Sequence, residues 1–159
     1  MITKNEVLDN LEEVKKYVSE IETKKEVKGI AILNRYNDEV IFQSTKTTMK
    51  EAVEEAVEDA SLEYANLEGA NLEYASLESA NLEGANLENA DLEDANLKYA
   101  NLKYANLESA NLKSANLESA NLKDANLKYA NLEGAKTTCC TINFLSFEKE
   151  QAEQFIKGL

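Results

Sequence analysis

The chain has 159 residues, 43% of them hydrophobic, which suffices for one domain with a buried core. Its 30 acidic and 17 basic side chains leave a net charge of −13, a balance that argues against nucleic acid and anionic membranes as direct partners, since their phosphates would be repelled. Neither a signal peptide nor an apolar run of membrane-spanning length stands in the sequence, so a cytoplasmic location is expected.

Residues 1–47 read as a small helix and β-hairpin module. Thr3 and Glu6 can cap a helix whose apolar residues Val7, Leu11, Val14, Val18 and Ile21 form a short coiled-coil-like seam. That seam can pack on the chain's own hairpin or on a second copy. The hairpin follows in KGIAILNRYNDEVIFQS, with Asn37 and Asp38 turning the chain between Ile30–Tyr36 and Val40–Gln43.

Residues 48–59 read as a capping helix. In TTMKEAVEEAVEDA, Thr48 and Glu51 have capping-box spacing, and Met49, Ala52, Val53, Ala56 and Val57 form one apolar stripe.

From residue 60 the sequence repeats without interruption, as in ANLKYANLKYANLESANLKSANLE over residues 95–118. Alanine recurs every fifth position from Ala60 to Ala135 and leucine from Leu62 to Leu132, giving fifteen in-phase units. A helix turns about 100° per residue, so leucines five apart would drift round its surface. In a strand, an odd spacing would throw them onto alternate faces. The repeated asparagine also argues against a long helix. A backbone that treats every unit alike must wind into a coil, with Leu and Ala inside, the variable pair in water and the asparagines in ladders along the axis.

After the repeats, Cys140 and Ile142 keep the phase of Ala and Leu, which extends the solenoid over 60–145. Adjacent cysteines cannot form a disulfide framework, and without histidine Cys139 and Cys140 make a poor zinc site, so both are expected as reduced thiols. Ser146 opens a C-terminal helix over 146–159, for capping or dimerisation.

The unbroken A-(N/D)-L-X-X pattern over 60–134 resembles the pentapeptide-repeat proteins. The resemblance implies a mainly β fold: a right-handed quadrilateral β-helix of about four coils, four pentapeptides to each, with helical caps at both ends. Residues 20 apart would then stack. Six such pairs are of opposite charge: Glu83 with Lys103, Glu108 with Lys128, Glu93 with Lys113, Lys113 with Glu133, Glu78 with Lys98, and Lys98 with Glu118. Five others are of like charge.

Catalysis finds no support, with no histidine and no glycine-rich phosphate loop, and neither a cofactor nor a metal is expected. The sequence favours a non-catalytic scaffold or protein-interaction module that forms a homodimer. Phe144, Phe147, Phe155, Ile156 and Leu159 are its candidate cap or dimer interface. The acid concentrates in one stretch free of lysine and arginine: Glu51, Glu54, Glu55, Glu58, Asp59, Glu63, Glu68, Glu73, Glu78, Glu83, Glu88, Asp91, Glu93 and Asp94. These form a candidate interaction surface. The alternative comes from the resemblance, since some pentapeptide-repeat proteins imitate the acidic outline of duplex DNA and bind type II topoisomerases, including DNA gyrase, inhibiting them or protecting them from quinolones.

Overall fold

A computed structural model of the chain describes residues 14–16, 29–59, 61–142, 153–154 and 156–157. Of the expected N-terminal seam only Val14 falls among them, in a helical 14–16, and it is 58% exposed. Phe144, Phe147, Phe155 and Leu159 lie outside the described residues, while Ile156 is exposed.

The repeats wind into a column in which, from Asn66 on, asparagine positions bridge in parallel the ones twenty residues later: Asn66 to Asn86, Asn86 to Asn106, Asn106 to Asn126. One rung therefore takes four pentapeptides. Regular strand extends over two residues only, where β3 (Asn121–Leu122) pairs with β4 (Thr141–Ile142). Thr137 and Ile142 occupy leucine positions and Cys140 an alanine position, so the winding continues past Leu132 as expected. Every described leucine and alanine of the repeat is buried, in one continuous core.

The unit that starts at Ala100 shows why this backbone is stable, because each of its five amides finds an acceptor. Ala100 N–H closes a turn on Leu97 O (3.0 Å) and Asn101 N–H reaches back to Ala80 O (2.9 Å). Leu102 and Tyr104 N–H reach forward to Asn121 O (2.8 Å) and Lys123 O (3.1 Å). Lys103 N–H, which has no carbonyl in reach, is taken by Asn101 Oδ1 (3.3 Å). Asparagine thus recurs because its side chain completes the backbone accounting.

The turn between successive units sets a second requirement. Its third residue has positive φ throughout, from 57° at Asn89 to 69° at Gly134, which with the bond from Ala N–H to Leu C=O makes a type II-like turn. Glycine fills only three of these positions, and tyrosine and serine fill most of the rest. A left-handed L-residue costs about 1–2 kcal/mol. The cost is accepted because this conformation aims the amide along the axis at the next rung.

The flanks meet the column at its first rungs. β1 (Ala31–Leu33) and β2 (Val40–Gln43) form the expected antiparallel hairpin, with a register shift between Ile32 and Leu33. Its first strand is shorter than the expected Ile30–Tyr36: Asn34 closes the turn, its N–H donating to Glu39 O (2.8 Å) and its carbonyl accepting from Asp38 N–H (3.0 Å), while its other edge bridges Ala65. Asn66 N–H donates to Leu33 O (2.7 Å), and Arg35 N–H to Tyr64 O (2.8 Å). The hairpin is thereby bonded to the repeats and does not stand apart from them. Helix α1 (Met49–Asp59) starts at Thr48, whose Oγ1 accepts from Glu51 N–H (3.3 Å) and donates to Glu51 Oε2 (2.8 Å). The expected stripe faces the core: Ala52, Val53 and Ala56 are fully buried, and Met49 and Val57 pack against them.

At the far end, Leu132 N–H, which points beyond the last rung, is accepted by Gln154 Oε1 (3.0 Å). No helix among the described residues is long and apolar enough to cross a membrane.

Candidate protein-interaction surface

The repeat places one charged residue at each turn. The first rung presents Glu63, Glu68, Glu73 and Glu78, one per turn, and the second presents Glu83, Glu88 and Glu93 before Lys98 breaks the series. Asp94 follows Glu93 in a left-handed position, and Asp91 stands in the asparagine row. Glu51, Glu54, Glu55 and Glu58 of α1 line a shallow cleft with Lys46. Glu54 Oε1 accepts from Ser76 N–H (2.8 Å), and a second cleft beside it is bounded by Glu58 and Glu78. The helix acids and the first-rung acids are therefore contiguous. Asp59 ends α1.

Much of this acid is held in place. The asparagine eighteen residues on donates Nδ2 to the glutamate below it: Asn86 to Glu68 (3.2 Å), Asn96 to Glu78 (3.0 Å), Asn101 to Glu83 (3.0 Å), Asn106 to Glu88 (3.0 Å) and Asn111 to Glu93 (3.1 Å). Glu73 has no such donor, because the residue eighteen on is Asp91, a carboxylate that can only accept. In each pair the bond uses Oε2. For Glu68, Glu78 and Glu88 the second oxygen makes no hydrogen bond among the described residues. The result is a set of carboxylates fixed by amide props and separated by the rung spacing, about 4.8 Å along the axis. Sequence reasoning missed this role of asparagine, since a spacing of eighteen is two short of the stacked pair and the reach of the amide across that offset shows only in the structure.

The asparagines also join each other. Asn101 donates to Asn81 Oδ1 (3.2 Å) and Asn121 to Asn101 Oδ1 (3.2 Å), with parallel ladders through Asn86, Asn106 and Asn126 and through Asp91, Asn111 and Asn131.

Toward the C-terminal end lysines enter the turns. Three of the six expected opposite-charge stacks close to ion pairs: Lys113 with Glu93 (2.7 Å), Lys98 with Glu118 (3.1 Å) and Lys103 with Glu83 (3.6 Å). At Lys128 the ammonium lies over the neighbouring Tyr129 ring at 4.7 Å, as Lys98 and Lys103 do over Tyr99 and Tyr104. The Lys113 ammonium and the Asn111 amide hold the Glu93 carboxyl below its ordinary range, and Glu93 in turn raises Lys113. The acidic half shows its field at Tyr74, whose hydroxyl is pushed up by Glu73 beside it and by Asp94 and Glu93 on the next rung. Four repeat tyrosines are more than half exposed, and Tyr64 packs against Tyr36 at 5.8 Å between ring centres.

The family described as pentapeptide repeats matches residues 60–98, 75–113 and 100–136, in eight copies. The column is similar to the crystal structure of HetL, a pentapeptide repeat protein involved in heterocyst differentiation regulation from the cyanobacterium Nostoc sp. strain PCC 7120. The two share 43% identity over 51% of this chain and 38% of that one, with a TM-score of 0.50. It is similar also to Rfr23, a pentapeptide repeat protein from the cyanobacterium Cyanothece 51142, at 46% identity over 51% of this chain and 55% of that one, again with a TM-score of 0.50. This chain thus spans well under two thirds of either protein. No curated protein matches it.

Proposed function

Residues 60–136 belong to the pentapeptide-repeat family, whose fold is a β-helix, and from that premise we propose that this chain is a non-catalytic scaffold that binds a protein partner through the acidic N-terminal half of its column. The finer architecture is part of the same proposal: a right-handed quadrilateral column of about four coils, with the 48–59 helix closing its first rung and the 146–159 segment its last. Two bonds support the closures, Ser76 N–H to Glu54 and Leu132 N–H to Gln154, since each satisfies an amide at a column end.

The observation that carries the binding proposal is the row of glutamates propped by asparagine. Carboxylates already fixed lose little freedom when they meet lysine or arginine on a partner, so the ordering cost of association falls. The test neutralises the unpropped and propped acids of the first rung together. Glu63, Glu68, Glu73 and Glu78 are replaced by glutamine, with the fold verified by circular dichroism, and proteins retained from cell extract by the two forms are compared. Basic partners held by the native chain and lost from the variant are the expected result. Identical retention by both forms refutes the contact face.

A second reading, binding to a type II topoisomerase in place of DNA, draws on the charge density. Four carboxylates per rung amount to roughly one per 1.2 Å of axis, near the one per 1.7 Å of duplex DNA. The full match holds over the first rung, about 5 Å, and ends inside the second, where Lys98 and then Lys103 interrupt it. A supercoiling assay with purified gyrase discriminates: neither inhibition nor quinolone protection at micromolar protein removes this reading and leaves the scaffold.

A further inference from the structure

The four turn rows of the column differ in the order of their charges, and one row has a symmetry the others lack. Read along the axis, residues 63, 83, 103 and 123 run Glu, Glu, Lys, Lys. A two-fold axis perpendicular to the column, passing between the second and third rungs, reverses that order. It sets Glu63 opposite Lys123 of a second copy and Glu83 opposite Lys103, and the same two contacts recur on the other side of the axis. Every rung then faces its opposite charge.

The other rows fail the same operation. Residues 68 to 128 run Glu, Glu, Glu, Lys and bring Glu88 against Glu108. Residues 73 to 133 run Glu, Glu, Lys, Glu and bring Glu73 against Glu133. Residues 78 to 138 run Glu, Lys, Glu, Thr, which leaves Glu78 facing a neutral threonine.

The structure equips the Glu63 to Lys123 row for this contact. Its outer members, Glu63 and Lys123, are exposed and form no ion pair among the described residues. Its inner members are already joined within the chain, Lys103 Nζ lying 3.6 Å from Glu83 Oε1, with about a quarter to a third of each side chain still accessible. The Glu83 carboxylate is propped by Asn101, and the Lys103 ammonium is seated over the Tyr104 ring at 4.4 Å. At the two-fold axis two such pairs meet as an alternating square of charge, in which each ion gains a second opposite neighbour.

We infer that the row of Glu63, Glu83, Lys103 and Lys123 is a self-complementary surface through which two copies of this chain associate side by side with their columns antiparallel. The inference deepens the scaffold reading by naming a second copy as one partner of the column, and it puts self-association on the column's side, not on its C-terminal segment. A row about 14 Å long buries far less than the roughly 1,200–2,000 Å² of a stable complex, so the association is weak and reversible.

Charge-order variants provide the test, because glutamate and lysine both occupy this turn position elsewhere in the column and the fold tolerates either. In one variant Lys103→Glu and Lys123→Glu make the row uniformly acidic. In a second, Glu63→Lys and Glu83→Lys make it uniformly basic. In a third, all four changes together reverse the order while leaving the net charge unchanged. Each is followed by sedimentation at about millimolar concentration, with circular dichroism as the check on folding. The native chain and the fully reversed variant are expected to associate alike. Each uniform variant is expected to weaken association about tenfold or more, and an equimolar mixture of the two to recover it. The uniformly basic variant is decisive, since it lowers the molecule's net repulsion yet is expected to associate less. A native chain that stays monomeric overturns the inference, as does a uniform variant that associates as the native chain does. Neither result touches retention of basic partners by the first-rung acids, which stands or falls on the glutamine variant.

Discussion

Asn101→Ala probes the central claim that asparagine completes the backbone of every unit. The side chain makes four bonds: it donates to Asn81 Oδ1 (3.2 Å) and to Glu83 Oε2 (3.0 Å), and accepts from Asn121 Nδ2 (3.2 Å) and from Lys103 N–H (3.3 Å). The two ladder bonds are long and partly open to water, so each falls near the low end of the usual net value, about 0.5 kcal/mol. The carboxylate bond and the orphaned Lys103 amide contribute about 0.5–1 kcal/mol each, giving a total near 2–3 kcal/mol. Asn101→Ser is an internal control. Serine at 61 already accepts from Glu63 N–H (3.2 Å) and from Asn81 Nδ2 (2.9 Å), so a serine at 101 keeps the amide and the ladder bond from Asn121 satisfied and costs about half as much. Because stacked rungs can open separately, urea titration is paired with hydrogen exchange read at the Lys103 amide. Faster exchange there in the alanine variant, restored by serine, is expected. An unchanged Lys103 rate together with a loss below about 0.5 kcal/mol would refute the reasoning.

Three further outcomes follow from the same geometry. Gly84→Ala should destabilise more than Gly134→Ala: both positions are left-handed, at φ 66° and 69°, but a Cβ at 84 would stand 2.4 Å from the Tyr64 ring, whereas at 134 the nearest atom is Ser114 Oγ at 3.5 Å. Adding Tyr64→Ser should erase the difference between the two in thermal melts, and a difference that persists contradicts the steric account. Thiol titration at pH 8 should count one fast cysteine and one that reacts much more slowly. Cys139 is exposed, while Cys140 donates to Leu117 O (2.7 Å) and is pushed up to about 11 by burial. Equal rates for the two thiols would show that the last unit does not wind as described. The depressed Glu93 carboxyl contributes stability that is present above its unfolded pKa, about 4.3, and is lost as pH falls through its folded value. Lys113→Met, which removes the main cause of that depression, should therefore lose less stability than the native chain between pH 5 and 3, and parallel losses would show that the pair contributes nothing.

The spacing of Leu62 to Leu132 and of the alanines between them determined that this chain winds into a column with those side chains inside, because a fifth-residue period fits neither helix nor strand and the buried set came out as that period requires. The Thr48 to Glu51 cap, the stripe of α1 and the hairpin around Asn37 and Asp38 were legible for the same reason: each rests on residues a few positions apart. The left-handed turn at Tyr64, Tyr74 and Ser114 was not legible. Glycine normally announces such a backbone, and here bonds from the next rung impose it on tyrosine and serine. Nor was the bridging of the hairpin to the repeats at Asn34 and Ala65, or the propping of Glu68 by Asn86. Those contacts join residues eighteen to more than thirty positions apart, and only the tertiary structure decides them, because a pentapeptide specifies its own inward and outward sides while the rung that lies above it is set by how the whole chain closes.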